Sequence, residues 1–125
     1  MNITGPIISL IASDATANGL LGGRVYPQVL RQSSAYPAAA INVTNTEPAN
    51  TKTGPSDLDR ITVQIDVYAA NATAAEQASE AIRGILDYNS TGDIECIFFR
   101  RTIDGLSEKP ELIRKLSEYS IIYRR

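Results

Sequence analysis

Arg60-Ile-Thr-Val-Gln-Ile-Asp-Val-Tyr-Ala-Ala70 alternates without a slip. Ile61, Val63, Ile65, Val67 and Ala69 fall on one side, and Thr62, Gln64, Asp66 and Tyr68 on the other. A period of two built largely from β-branched residues predicts a half-buried strand. Asn71-Ala72 breaks the pattern, and Thr73-Ala-Ala-Glu76 has the spacing of a capping box, in which the Thr and Glu side chains satisfy each other's backbone amides. Ala75, Ala78, Ile82, Ile85 and Leu86 then recur at helical spacing, with Glu76, Gln77, Glu80 and Arg83 on the opposite face. An apolar strand face followed by an apolar helix stripe is a packing unit. The helix is expected to fold back over the odd-numbered face, with Ile61, Val63, Ile65 and Val67 under Ile82, Ile85 and Leu86.

Outward from this unit, Thr4-Gly-Pro6 opens a short helix, with Thr4 as its cap and Ile3, Ile7, Leu10 and Ile11 as its stripe. The helix is expected to fray through Ser13 to Asn18, with turns at Gly19 and Gly22-Gly23 around an apolar plug of Leu20 and Leu21. Arg24 to Val29 is extended, and Pro27 confines it to a sheet edge or a strand start. Pro37 leads a strand whose inner face is Ala39, Ile41 and Val43. Asn45 to Leu58 holds Pro48, Gly54 and Pro55 with almost no apolar residue, so it reads as a long polar loop. Loops longer than ~12 residues in a compact domain are usually functional or disordered. This one is expected to be mobile in the free subunit and ordered by a partner. Asp93 to Arg101 reads as a strand, with Ile94, Cys96 and Phe98 opposite Glu95, Ile97 and Phe99, its apolar middle suggesting cover on both sides. Ile103 to Pro110 reads as a loop. Pro110 to Leu116 fits a helical turn or the start of a strand that runs through Tyr119, Ile121 and Tyr123.

The expected fold is therefore α+β in the order α-β-β-β-α-β-β, an antiparallel β-sheet with two helices packed on one face. The 125 residues are expected to form a single domain, 1–125, long enough to bury an independent core. A composition 43% hydrophobic and 21% charged is that of a soluble globular protein, and a net charge of −2 argues against a globally basic surface for nucleic acid. No stretch approaches the ~18 apolar residues of a membrane span. Nor does Met1-Asn-Ile-Thr look like a secretion signal. One cysteine excludes an intrachain disulfide framework and suits a reducing cytoplasm.

The sequence contains no histidine, so the usual base near neutral pH and the commonest metal ligand are missing. Asp57, Asp59 and Asp66 are the nearest approach to a metal cluster, but each has an ordinary solvated reading and the ligand count of a hard-cation site is not met. Cys96, mid-strand among apolar residues and with no histidine to activate it, reads as a buried inert thiol. Gly19 to Gly23 lacks the Lys-Ser/Thr ending and the preceding strand of a phosphate loop. The pairs Arg100-Arg101 and Arg124-Arg125 read first as solubilising charges at strand ends. Asn-x-Ser/Thr triplets at Asn2, Asn42, Asn71 and Asn89 have no role without secretion. No catalytic residue, cofactor site or metal site is expected. The candidate subunit or partner interface comprises Gln64, Asp66 and Tyr68 on the polar strand face, Asn50, Lys52 and Asp57 of the polar loop, and Arg100 and Arg101. A mixed polar and aromatic surface of this kind suits contact with another protein.

Five segments in order carry a resemblance: Gly22-Gly-Arg-Val-Tyr-Pro27, the strand led by Tyr36-Pro37 and running to Val43, Val63-Gln-Ile-Asp-Val-Tyr68, the alanine-rich helix ending in Ile85-Leu-Asp87, and the tyrosine-rich strand Tyr119 to Tyr123. Over its whole length the chain resembles the tail terminator, or tail completion, proteins that join tail to head in long-tailed bacteriophages. The resemblance implies a homo-oligomeric ring, usually of six subunits, that caps the tail tube and offers a surface to the head connector or stopper protein. Genomic DNA would pass through its lumen without specific binding. It further implies a protein made in the host bacterial cytoplasm and located in the virion at the tail–head junction, away from any membrane. Other readings are a different neck protein, such as a head-completion or connector protein, or a small ligand-binding module or enzyme on a ferredoxin-like sheet.

Overall fold

The computed structural model describes residues 3–27, 36–48, 57–105 and 112–124. At its centre the alternating stretch forms strand β3, Leu58–Ala69. Ile61, Val63, Ile65, Val67 and Ala69 are all buried on one face. Helix α3, Ala72–Leu86, covers that face with Ala75, Ala78, Ile82 and Leu86 buried and Ile85 packed at the margin. The cap is Asn71 rather than Thr73: its extended backbone lets Oδ1 accept from the amide of Ala74 at 2.8 Å. Thr73 therefore lies inside the first turn, and the expected capping box does not form. One polar link crosses the interface, the hydroxyls of Ser79 on α3 and Ser117 on β5 (Ile113–Arg124) meeting at 3.1 Å.

The amino-terminal region departs from expectation more. Helix α1, Thr4–Ser13, starts after Ile3 with no side-chain cap, and Ile3, Ile7 and Ile11 form the buried stripe while Leu10 is only partly covered. The segment expected to fray is a second helix, α2, Ala15–Leu21. Asp14 ends α1 and caps α2, its carboxylate accepting from the amide of Ala17 at 2.9 Å. Gly19 thus sits inside a helix. The turn is made by Gly22, whose φ of 56° is the left-handed conformation that glycine adopts without strain. Seven residues including Asn and Gly have little intrinsic helix propensity, so the cap and the burial of Ala17 and Leu21 hold this helix together.

Strands β1 (Val25–Pro27), β2 (Ala38–Pro48) and β4 (Ile94–Gly105) complete a five-stranded sheet in the order β1-β2-β3-β5-β4. The architecture is α+β, with helices on one face. Two features differ from the expected layout: a third helix, and the pairing of β1, which runs parallel to β2 while the other four strands are mutually antiparallel. The backbone bond from the Ala39 amide to the Arg24 carbonyl, 2.9 Å, starts that parallel edge.

Strand lengths also change the polar segments. Asn45 to Pro48 belongs to β2, past a bulge that leaves Thr44 unpaired in register, so this part of the expected loop is sheet. The remainder of that loop, 49–56, with its expected mobility, lies outside the described residues. Val43, expected in the core, is 43% exposed, because the helices stop covering β2 after Ile41. Ile103 to Gly105, expected in a loop, extends β4 against β5. A bulge between Ile94 and Cys96 shifts the side-chain parity of β4, so Ile94 and Ile97 share the buried face and Phe98 faces out. Ile113 to Leu116 is strand, which resolves the ambiguity after Pro110.

Ile65 stands at the middle of the buried face and is 1% exposed. Ile65→Ala is expected to cost roughly 2–5 kcal/mol, the range for removing buried methylenes and leaving a cavity. Denaturant unfolding checks this; an unchanged midpoint would mean that the face carries little of the core.

Candidate functional site

The face of the sheet away from the helices is the candidate site. Register places Thr62, Gln64, Asp66 and Tyr68 on it, opposite Ser120, Glu118, Leu116 and Arg114 of β5. Its centre is more closed than the strand pattern suggested. Asp66 is only 4% exposed. Its carboxylate accepts from Nη2 of Arg114 at 3.0 Å and from Nε2 of Gln64 at 3.1 Å. The Arg114 guanidinium lies 5.9 Å from the centre of the Tyr68 ring. Gln64, Asp66 and Tyr68 are thus brought together, but around an internal ion pair. A buried charge is tolerated where it is paired and hydrogen-bonded. Gln64 and Tyr68 stay half-exposed.

A second cluster lies towards β4. Glu118 receives Arg101 at 3.1 Å and Arg100 at 3.8 Å, with both arginine side chains more than half exposed. Exposed pairs of this kind stabilise little, so the arginines can exchange Glu118 for another acid at small cost. Asp57 is exposed just before β3. Asn50 and Lys52 lie outside the described residues. The aspartates considered for a metal are kept apart: Asp59 and Asp66 point to opposite faces of one strand, ~23 Å apart along it at about 3.3 Å per residue. Asp57, Asp59 and Asp66 therefore build no common site. Cys96 is half-buried rather than buried, because the bulge turns it to the outer face.

Arg114 and Glu118 are the site residues that sequence reasoning missed. The signal for them was the alternation Arg114, Leu116, Glu118, Ser120. It is legible only once this segment is known to be a strand aligned with Tyr68 to Thr62.

On the covered face, Tyr119 is 1% exposed and packs edge-on to Phe99, with ring centres 5.6 Å apart. Arg83 lies over Phe99 at 4.0 Å. Burial pushes the Tyr119 phenol well above its ordinary value; the Arg83 charge opposes this and Asp87 and Glu80 add to it. Its hydroxyl has no hydrogen-bond partner among the described residues.

What the face offers is a half-exposed mixture of amide, ring, arginine and aliphatic groups. A surface of this mixed kind suits contact with another protein. The chain belongs to the family described as tail completion protein gp17, whose model matches residues 5–124. It is a phage tail structural protein. No curated protein matches it in sequence. Its fold is shared with a chain in the solved virion of a native gene transfer agent particle, at a TM-score of 0.72 and 19% identity, covering 95% of this chain and 92% of that one. A chain in a crystal structure from Akkermansia muciniphila aligns over 67% of this chain and 42% of its own length at a TM-score of 0.36 and 11% identity, too weakly to bear on the fold.

Tyr119 gives a pH prediction. The unfolded phenol ionises near pH ~10, while the folded one stays neutral to higher pH. Above the unfolded value the unfolded state therefore binds fewer protons, and stability falls as pH rises. Tyr119→Phe is expected to remove that alkaline loss. At neutral pH it should be neutral or stabilising by about 1 kcal/mol, since the unpaired hydroxyl is removed. Urea unfolding of both forms at neutral and alkaline pH checks this; a Phe variant clearly less stable at neutral pH would show that the hydroxyl is hydrogen-bonded.

Proposed function

We propose that this protein closes the end of the phage tail tube as a homo-oligomeric ring, taken as a hexamer, and presents the head connector or stopper with its docking surface. The family match over residues 5–124 carries this reading. The mixed face around Gln64 and Tyr68 supports it, since it has the polar and aromatic character of a non-obligate protein contact. Asp66, held by Arg114, fixes the shape of that face rather than reaching across it. Arg100, Arg101 and Asp57 supply the exposed charges at its borders. The lumen passes genomic DNA without specific binding, in keeping with a net charge of −2, since a strongly positive lumen would hold DNA back by phosphate attraction. No helix among the described residues is long and apolar enough to cross a membrane. The protein works within the virion at the tail–head junction.

Deletion of the gene tests the reading. Tails are expected to overgrow, or heads and tails to accumulate apart, when particles are measured by electron microscopy. Tails of normal length that join heads normally would overturn it. Tails of normal length beside heads that lose their DNA would instead assign the protein to head completion.

A further inference from the structure

Among the described residues, the sheet ends in two open stretches of backbone on opposite sides. On one side, among the described residues, β1 covers β2 over Ala39 to Ile41. Beyond it, Val43 to Pro48 is exposed in every residue. On the other side the segment after α3 closes the first half of the β4 edge. Tyr88 donates to the Ile97 carbonyl at 2.7 Å, Ile97 donates to the Asn89 carbonyl at 3.0 Å, and the Asp87 carboxylate accepts from Phe99 at 2.9 Å. Past Phe99, Arg101 to Gly105 has no neighbour on its outer side among the described residues. Unpaired strand edges are templates for another strand, and proteins usually shorten or cover them. Here, among the described residues, both edges are shuttered over part of their length and left open over the rest.

We propose that neighbouring copies join edge to edge, with Asn42–Pro48 of β2 in one copy pairing antiparallel with Arg101–Gly105 of β4 in the next. The proposal rests on the ring reading above and names its subunit contact. Several observations point to a second copy of this chain as the occupant. β2 and β4 run in opposite directions within the sheet, so side-by-side copies in the same orientation bring them together antiparallel. Matching the faces of the two strands selects a register. Asn45 and Ile103 both project from the helix-free face, through their partners Thr62 and Leu116. Setting Asn45 opposite Ile103 centres the two open stretches and places Glu47 opposite Arg101, on that same face. Glu47 makes no ion pair among the described residues, and the Arg101 side chain is 63% exposed. The same register covers Ile103, which is 45% exposed. Among the described residues neither shutter obstructs it, since the described pairing of β1 ends opposite Ile41 and the bond to Phe99 lies beyond the other end.

The two open stretches are offset along the strands. Asn45 lies level with Thr62, and Ile103 with Asp66, four positions further along β3. Each added copy would slide by about 13 Å along the strands for roughly 19 Å of sheet width, a strand tilt of ~35°, within the range that closed sheets adopt. A head-to-tail contact of this kind closes into a ring when its rotation divides the circle, and otherwise continues as a filament.

Cysteine cross-linking in particles assembled from variant protein tests the contact. In a Cys96→Ser background, copies carrying only Asn45→Cys are mixed with copies carrying only Ile103→Cys. Thr46→Cys with Thr102→Cys forms a second pair in the same register. All four positions are exposed, so the variants are expected to melt like the parent. On mild oxidation, mixed disulfide dimers are expected, with little product from either variant alone. The double variant is expected to give a ladder that stops at the ring number. Closed rings by native mass spectrometry without mixed cross-links for either pair overturn the edge contact and leave the ring reading intact. A ladder that runs on without stopping keeps the edge contact and overturns the ring. Cross-links mainly between identical variants overturn the head-to-tail arrangement.

Discussion

Burial of one face of β3 is the constraint on which the rest of the molecule depends. Ile61, Val63, Ile65, Val67 and Ala69 contribute a continuous apolar row, and nothing but another apolar surface will cover it. The row is in the middle of the sheet, between β2 and β5, so its strand can be half-covered only if helices take the exposed side of that row. α3 does so directly, and α1 adds Ile3, Ile7 and Ile11 to the same cluster. Because side chains alternate, that burial forces Thr62, Gln64, Asp66 and Tyr68 outward together. The candidate face is thus a geometric consequence of the core.

Asp66 shows what that consequence requires. A carboxylate at the centre of a sheet, flanked by strands on both sides, loses most of its water, and 4% exposure demands a partner. Arg114 is that partner, diagonally across on β5 and opposite Tyr68, and Gln64 supplies the second bond. The cluster holds Tyr68 and the arginine in a fixed relation, which suits a surface that must present the same shape to a partner each time. Around it, the Glu118 pairs and the exposed Phe98 and Ile103 remain loosely committed. A rigid centre with an adaptable border fits a protein that joins other proteins.

The sheet also sets where contact can occur. β1, Val25–Pro27, runs parallel to β2, and the segment after α3 folds against β4, so among the described residues each edge is closed towards one end. These closures lie at diagonally opposite corners, which would give any edge-to-edge assembly a built-in stagger.

The central strand, α3, the buried parity of β3 and the apolar stripe of α1 were legible in the residues, because periods of two and 3.6 are local properties of the chain. The tail-protein family was legible too, through segments that extend from Gly22 to Tyr123. What local pattern could not decide was anything that depends on a neighbour. Asn71 rather than Thr73 became the cap because the chain leaves β3 in an extended conformation just there. α2 exists because Asp14 and the burial of Ala17 and Leu21 outweigh a weak intrinsic propensity. Asn45 to Pro48 is polar all round, yet it is strand because β3 lies beside it. The β4 bulge moved Cys96 outward and Ile97 inward, and a bulge adds a residue without leaving a mark in the alternation. Arg114 met Asp66 only through the pairing of β3 with β5, across 48 residues of sequence. The sequence by itself determined which side chains must leave water. Tertiary structure decided which polar groups then face one another, because the free energy of a buried charge depends on its neighbours in space and not on its neighbours in the chain.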